Sequence, residues 1–325
     1  MTAPTKLGAT MIVTRDLARS FKTRGGTVEA VRGVDLRVGA GEIFGFLGPN
    51  GAGKTTTLRM LATLITPTAG EATVAGADLR REPQEVRRRI GYVPQGGSTD
   101  PAETGRGELV IQGRLYGMNK AAAQARAGEV LAALDLEEAA DRTTSTYSGG
   151  MKRRLDVGLG IVHRPSVLFL DEPTTGLDPQ ARARMWEEIR LLRELGTTVF
   201  LTTHYLEEAD ALADRLAIID HGVIVAEGTA DELKRQVAGD VVTLAVNGAT
   251  ERVLETVRLQ PFVREASAEE GVVRLYVDRG ETAVPLLLRV LDGAGLEAAS
   301  IALHRPSLDD VFLRQTGRSL RDTAA

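Results

Sequence analysis

Residues Gly48 to Thr55 read Gly-Pro-Asn-Gly-Ala-Gly-Lys-Thr, a spacing suited to holding the phosphates of a nucleotide. Glycines let the backbone wrap round a polyphosphate and turn several N–H groups inward, while a following helix adds the positive end of its dipole. Lys54 is placed to reach the β- and γ-phosphates, and the Thr55 hydroxyl to meet Mg²⁺. The loop needs a strand before it and a helix after it. Ile43 to Leu47 is an apolar run of strand length, and Leu58, Met60, Leu61, Leu64 and Ile65 recur at helical spacing through Thr56 to Ile65. A chance glycine-rich turn is the bland alternative, and both flanks count against it. Gly48, Pro49, Asn50, Gly51, Ala52, Gly53, Lys54, Thr55 and Thr56 are therefore expected to bind a nucleoside triphosphate.

Val167-Leu168-Phe169-Leu170-Asp171-Glu172 ends an apolar run in two carboxylates. In open α/β sheets ligands bind at the C-terminal ends of such buried strands. Asp171 is expected to hold Mg²⁺ with Thr55, and Glu172 to stand beside the γ-phosphate as general base for water. The plainer reading is a surface Asp-Glu pair closing a core strand. A third element, Tyr147-Ser148-Gly149-Gly150-Met151, opens a helix and so makes a second anion site. Two such sites on one chain suggest that nucleotide is shared between two copies.

These residues need a sheet and helices to position them. Met11-Ile12-Val13, the alternating Val34 to Val38 and Glu71 to Gly76 read as an antiparallel sheet flanking a nucleotide-binding core. From Asp100 to Gly160 helical patterns dominate, with Asn119 as cap of a helix from Ala121. Ser166 to Leu170, Thr198 to Leu201 and Leu216 to Ile219 are apolar strands, the first two joined by a helix Pro179 to Leu195. They predict a parallel sheet covered on both faces, and Asp220-His221-Gly222 a hairpin turn into Val223 to Val225. After about Gly239 the predicted order is β-α-β-β-α-β, a small ferredoxin-like α+β module, with Ser307 and Asp310 capping a last helix, Leu308 to Thr316.

The chain has 325 residues, 43% hydrophobic and 26% charged, which suits a globular protein of two domains. A net charge of −4 gives no reason to expect a nucleic-acid partner, and the absence of cysteine excludes disulfides and thiolate metal sites. No apolar run reaches the roughly 18 residues of a membrane span, and Met1 to Lys6 lacks the apolar core of a secretory signal. Work at a membrane is thus expected to go through a partner. His163, His221 and His304 lack ligand spacing and read as surface or turn residues. Trp186 reads as packing of its helix, Arg87-Arg88-Arg89 as a solvated helix face, and Lys152-Arg153-Arg154 as a continuation of the helix with no separate role.

With Ser148-Gly149-Gly150 at its centre, the sequence resembles the ATP-binding subunits of ABC transporters, whose signature usually reads Leu-Ser-Gly-Gly-Gln; Tyr147 and Met151 depart from it. The resemblance covers roughly residues 10–235. It implies an α/β P-loop NTPase (RecA-like) core with antiparallel β subdomain and helical insertion. The expected domains are an ATP-binding domain at 10–237, with the insertion at about 98–160, and a C-terminal module at 240–317. It implies ATP with Mg²⁺, Gln95 as the Q-loop residue near Mg²⁺ and water, Asp178 in the D-loop at a dimer interface, His204 as the switch histidine on the γ-phosphate, and Phe21 stacked on adenine where tyrosine is commoner. Arg305-Pro306-Ser307-Leu308-Asp309-Asp310-Val311-Phe312-Leu313 and Leu115-Tyr116-Gly117-Met118 resemble the daunorubicin-resistance type within that family. That implies a homodimer at the cytoplasmic face of the membrane, powering a separate permease that exports a drug, antibiotic or other hydrophobic compound. Glu103-Thr104-Gly105-Arg106-Gly107-Glu108-Leu109 departs from the usual Leu-Thr-Gly-Arg-Glu-Asn-Leu, in a region expected to face the permease.

The competing reading is a soluble ATPase of the same superfamily acting on ribosomes or DNA. Ribosome-acting relatives usually carry tandem cassettes and chromosome-type ones a long coiled coil, and this chain has one P-loop and no such coil. A regulatory module would lack a base, and Glu172 is present. A GTPase would carry Asn-Lys-x-Asp, which does not occur. The cargo is not legible, since its contacts are expected on the membrane chain.

Overall fold

The computed structural model describes residues 9–237, 239–246, 250–269, 271–304 and 307–316. Arg305, Pro306 and residue 317 of the expected C-terminal module, and the N-terminal residues 1–8, lie outside the described residues. The chain divides into two compact units between Thr229 and Ala230.

In the first unit two long strands, β1 (Thr10–Thr23) and β2 (Gly26–Gly39), pair antiparallel. The P-loop lies between β3 (Ile43–Leu47) and α1 (Lys54–Leu61). Two further strands, β4 (Ala69–Val74) and β5 (Ala77–Asp78), complete an antiparallel sheet in the order β2-β1-β4-β5. Helix α2 (Pro83–Arg89) starts at a proline, whose fixed φ suits a first helical turn, and leads into β6 (Ile90–Val93). Sequence reading set the bounds of neither element. It did place Arg87 to Arg89 on a solvated face, and Arg88 and Arg89 do pair there with Glu85.

The helical insertion holds α3 (Gly105–Leu115), α4 (Lys120–Ala133) and α5 (Gly149–Ile161). Asn119 caps α4 by accepting from the Ala122 N–H, as its side chain predicts. Then follow β7 (Val167–Asp171), α6 (Pro179–Glu194), β8 (Thr198–Thr203), the short α7 (Leu206–Leu212), β9 (Arg215–Asp220) and β10 (Val223–Gly228). These strands build a six-stranded sheet, β10-β9-β3-β8-β7-β6. Its pairs are parallel except β9 with β10, joined through the turn at His221.

Every residue of β3, β7 and β8 is buried, as strands covered on both faces require. One face carries Phe44, Phe46 and Phe169, each with its ring centroid 5.5–5.7 Å from that of Phe200, and packs against α1 and the antiparallel sheet. The other face carries Ile43, Leu168, Leu170, Val199 and Leu201 and packs on the helices. The two covers hold the strand ends in register, with Leu47 opposite Thr203 and Asp171 opposite Thr202.

On the helical side Glu188 of α6 is nearly buried, 4.0 Å from Arg154, and burial pushes its carboxyl up to about 7. A group whose folded pKa is raised binds its proton in the native state while the unfolded chain has already released it. Stability contributed by that proton is intact below about pH 4.5 and lost as pH rises to about 7. Glu188→Gln is therefore expected to raise the melting temperature at pH 8 by a few degrees and to leave it nearly unchanged at pH 4.5. Melting curves of the two proteins across that range check the sign.

The second unit opens with α8 (Ala230–Val237), which lies ahead of the module start expected at residue 240. Its sheet is formed by β11 (Asp240–Val246), β12 (Val263–Glu269), β13 (Val272–Val277) and β14 (Ala298–His304), with α9 (Thr250–Arg258) and α10 (Gly280–Gly293) between strands. The order β12-β13-β11-β14, antiparallel throughout, is the ferredoxin-like arrangement. Alternate residues of β11 and β13, among them Val242, Leu244, Val273 and Leu275, pack with Val253, Val257, Leu287 and Leu291 of the helices. The last helix, α11 (Leu308–Thr316), packs on α8. A reciprocal cap opens it: the Ser307 N–H donates to Asp310 Oδ2 at 2.7 Å, and the Asp310 N–H to Ser307 Oγ at 3.3 Å.

Candidate active site

The loop after β3 is shaped by close backbone approaches. A Cβ on Gly48 would stand 2.3 Å from the Ile219 carbonyl oxygen; one on Gly53, where φ is +107°, would stand 2.5 Å from that of Ala30. Only glycine fits either place. Lys54 is buried and curls back into the loop, Nζ donating to the carbonyls of Gly48 at 2.8 Å and Pro49 at 3.1 Å. Nζ also stands 3.3 Å from Glu172 Oε1. Burial lowers the lysine's pKa, and the carboxylates of Glu172 and Asp171 oppose that.

Thr55 Oγ1 donates to Asp171 Oδ1 at 3.0 Å, and Thr202 Oγ1 donates to the same oxygen at 2.7 Å. The P-loop helix, β7 and β8 thus meet at one carboxylate. Glu172, just beyond β7, has a left-handed φ of 46°, a conformation costing a non-glycine residue about 1–3 kcal/mol. Its N–H is held by Thr202, through both the carbonyl and the hydroxyl at 3.1 Å. Its Oε2 accepts from Gln95 Nε2 at 2.8 Å and from Thr175 Oγ1 at 3.2 Å, and lies 3.2 Å from His204 Nδ1. Burial pushes this carboxyl up, but His204 and Lys54 together outweigh it and hold it at about 2. At neutral pH Glu172 is a carboxylate aimed at the phosphate loop.

The structure therefore brings Lys54, Thr55, Gln95, Asp171, Glu172 and His204 together. Ser148 lies elsewhere, as N-cap of α5, its Oγ accepting from the Met151 N–H at 3.3 Å. A cavity of ≈ 410 Å³ opens there, lined by Ser148, Gly149, Gly150 and Asp178, with Arg154 and Arg184 at hand. No residue of the phosphate loop lines this cavity. Asp178 caps α6, accepting from the N–H groups of Gln180 and Ala181, both at 2.9 Å. Tyr147, where the usual signature has leucine, is buried and donates to the Ala139 carbonyl at 2.6 Å. A Cβ on Gly105 would stand 2.4 Å from that hydroxyl, so glycine at the start of α3 makes room for it. Phe21 is half-buried on β1 with the Arg19 guanidinium 4.6 Å above its ring.

Sequence reading missed several supporting residues. Thr202 and Thr175 carried no signal, being threonines in an apolar strand and a turn. Arg153 does more than continue its helix, contrary to the expectation from its basic triplet. It is buried, and its guanidinium donates to the carbonyls of Pro94 (2.6 Å), Pro173 (2.8 Å), Asp171 (3.0 Å) and Glu172 (3.3 Å). Arg154 donates to the Leu134 carbonyl at 2.7 Å. His163 is also not a plain surface residue: it bonds the Ile90 carbonyl at 2.8 Å and stacks on Tyr116 at 3.6 Å. Trp186 packs with the helical core and donates to Glu208 at 3.2 Å.

Residues 31–175 match the ABC transporter family, and residues 228–316 match the family described as ATP-binding protein DrrA1-3-like, C-terminal domain. The daunorubicin resistance ATP-binding protein DrrA2 of Streptomyces coeruleorubidus is 47% identical over 311 residues, covering 95% of this chain and 97% of the relative. The doxorubicin resistance ATP-binding protein DrrA of Mycobacterium tuberculosis (strain CDC 1551 / Oshkosh) is 45% identical, covering 91% of each. The linearmycin resistance ATP-binding protein LnrL of Bacillus subtilis (strain 168) is 37% identical, covering 94% and 99%. Among solved structures, an ATP-binding subunit of an ABC transporter superposes with a TM-score of 0.62 at 28% identity, covering 70% of this chain and 93% of its own. A dimeric ATP-binding cassette in a post-hydrolysis state bound to ADP and Pi superposes with a TM-score of 0.62 at 25% identity, covering 67% and 98%.

Proposed function

Because the chain belongs to the ABC transporter ATP-binding proteins of the daunorubicin-resistance type, we propose that Glu172 drives ATP hydrolysis here and that a separate membrane permease uses the energy. The observation that carries this reading is the convergence of Lys54, Gln95, Thr175 and His204 on Glu172, beside the Thr55–Asp171 pair.

Lys54 and the amides of the loop neutralise the β- and γ-phosphates. Once the phosphates take the ammonium, Glu172 Oε1 loses its only close partner named above and is left to receive a proton from water. Gln95, Thr175 and His204 keep Oε2 fixed meanwhile, so the base does not swing. Thr55, Asp171 and Gln95 offer only hard oxygen donors, the set Mg²⁺ prefers, and the first two already touch. When bound, that ion supplies further charge neutralisation on the phosphates.

The separate cavity at Ser148-Gly149-Gly150 supports a head-to-tail dimer in which each signature covers the nucleotide held by the other copy's phosphate loop. Phe21 is assigned to adenine, Asp178 to the dimer interface, and residues 230–316 to an accessory domain. Among the described residues no helix is long and apolar enough to cross a membrane. That the relatives are named as resistance and export ATP-binding proteins supports assigning the translocation path to another chain and this one to the cytoplasmic face of the membrane beside it. Relatives named for resistance to daunorubicin, doxorubicin and linearmycin, and for Nod factor export, favour a hydrophobic or amphipathic natural product as cargo.

Sharing of the sites is testable by complementation. Lys54→Ala and Ser148→Arg proteins are each expected to be nearly inactive. Mixed together they regain part of wild-type turnover, because one composite site then has an intact loop and an intact signature. No recovery on mixing two folded proteins would count against the shared site.

A further inference from the structure

Two residues one turn apart on α5 hold the chain on both sides of Gln95 and of Glu172. Arg153 donates to Pro94, the residue before Gln95, and to Asp171, Glu172 and Pro173. Asp156 Oδ1 accepts from both the N–H (2.7 Å) and the hydroxyl (2.9 Å) of Ser98, beyond Gln95. The two side chains approach to 4.0 Å. The helix also lies directly on the strand that leads to Gln95: a Cβ on Gly91 would stand 2.1 Å from the Gly160 carbonyl oxygen, and one on Gly160 would stand 2.9 Å from Val93. At Gly91 and Gly160 the two backbones meet without a Cβ between them, so α5 has little freedom to tilt without carrying β6 along. The N-cap of the same helix is Ser148.

We propose that Arg153 and Asp156 form a clamp making α5 a lever, so that engagement of Ser148-Gly149-Gly150 by the opposing nucleotide sets the positions of Gln95 and Glu172 in the chain's own site. This inference rests on the shared-site reading above. Arg153 acts as a positioning residue: it touches four carbonyl oxygens and no reacting atom. A guanidinium suits the task because its rigid planar fork spreads donors over several acceptors, which a lysine ammonium cannot reproduce. The consequence is reciprocal coupling, since a nucleotide that seats one signature prepares the other site for hydrolysis.

The test compares full-length wild type, Arg153→Lys, Arg153→Met and Glu172→Gln for ATP affinity, melting temperature, kcat and the Hill coefficient of the ATP dependence. Arg153→Met is expected to bind ATP within about threefold of wild type, to lose about 10- to 100-fold in kcat, and to bring the Hill coefficient to about 1. Arg153→Lys is expected to fall between it and wild type. If the methionine variant fails to fold, the lysine variant carries the test alone, with kcat and cooperativity lowered at unchanged affinity and melting temperature. Unchanged kcat and Hill coefficient in a folded Arg153 variant, beside an inactive Glu172→Gln, would overturn the clamp and leave the base assignment standing. A parallel loss of affinity, stability and kcat would overturn it too, as mere structural damage. No recovery of turnover on mixing folded Lys54→Ala and Ser148→Arg proteins would instead remove the shared-site reading on which the clamp depends.

Discussion

Glu172→Gln is expected to lower ATP turnover by about 10²- to 10⁴-fold, the range a positioned general base contributes. Glutamine has nearly the same shape, and its amide oxygen can still accept from Gln95 and Thr175, which now hold the carboxylate at 2.8 and 3.2 Å. What disappears is the negative charge that would take the proton from water. Binding is expected to persist, because Lys54 is left with the carbonyls of Gly48 and Pro49 and is freer to meet phosphate. Uncleaved ATP should then hold two copies together. Single-turnover hydrolysis and sizing with ATP measure both effects. Wild-type turnover in this variant would remove Glu172 as the base.

Lys54→Ala is expected to act earlier, on binding. Truncating one partner of a buried charge pair typically costs about 2–5 kcal/mol, or about 30- to 5,000-fold in affinity. Here the loss has a second part. Without the ammonium, only His204 is left of the two side chains that hold the Glu172 carboxyl down, and its charge then faces the incoming phosphates. Calorimetric titration with ATP reads the loss directly. Affinity at wild-type strength would contradict the phosphate-loop assignment.

The parts legible in the sequence were those where chemistry dictates residue types at fixed spacing. Gly48 and Gly53 are glycines because carbonyl oxygens of Ile219 and Ala30 leave no room for a Cβ, so the loop advertises itself. Asp171 and Glu172 stand out because carboxylates at the end of a fully buried strand need a reason. The ferredoxin-like order of the second unit was legible for a different cause: its strands alternate between a buried and a more open face, the clearest period a strand can show. Arg153 was not legible. It sits in a basic triplet that composition alone assigns to solvent, and only the fold brings four carbonyls round it. Strand β6 escaped because Gly91 breaks its apolar run, for a packing reason that belongs to Gly160, far along the chain. Helices α2 and α7 are seven residues each, too short to show a helical period. The start of the second unit at Ala230 depends on α8 packing against α11, a long-range contact without a local mark.

The claim that this chain powers a membrane protein is tested most directly by purifying tagged Glu172→Gln protein from detergent-solubilised membranes of its native source, with and without ATP. The account predicts one polytopic membrane protein in stoichiometric yield, its recovery altered by ATP because nucleotide and permease must bias each other. Recovery of ribosomes, nucleic acid or nothing, from a protein that still binds ATP, would contradict it.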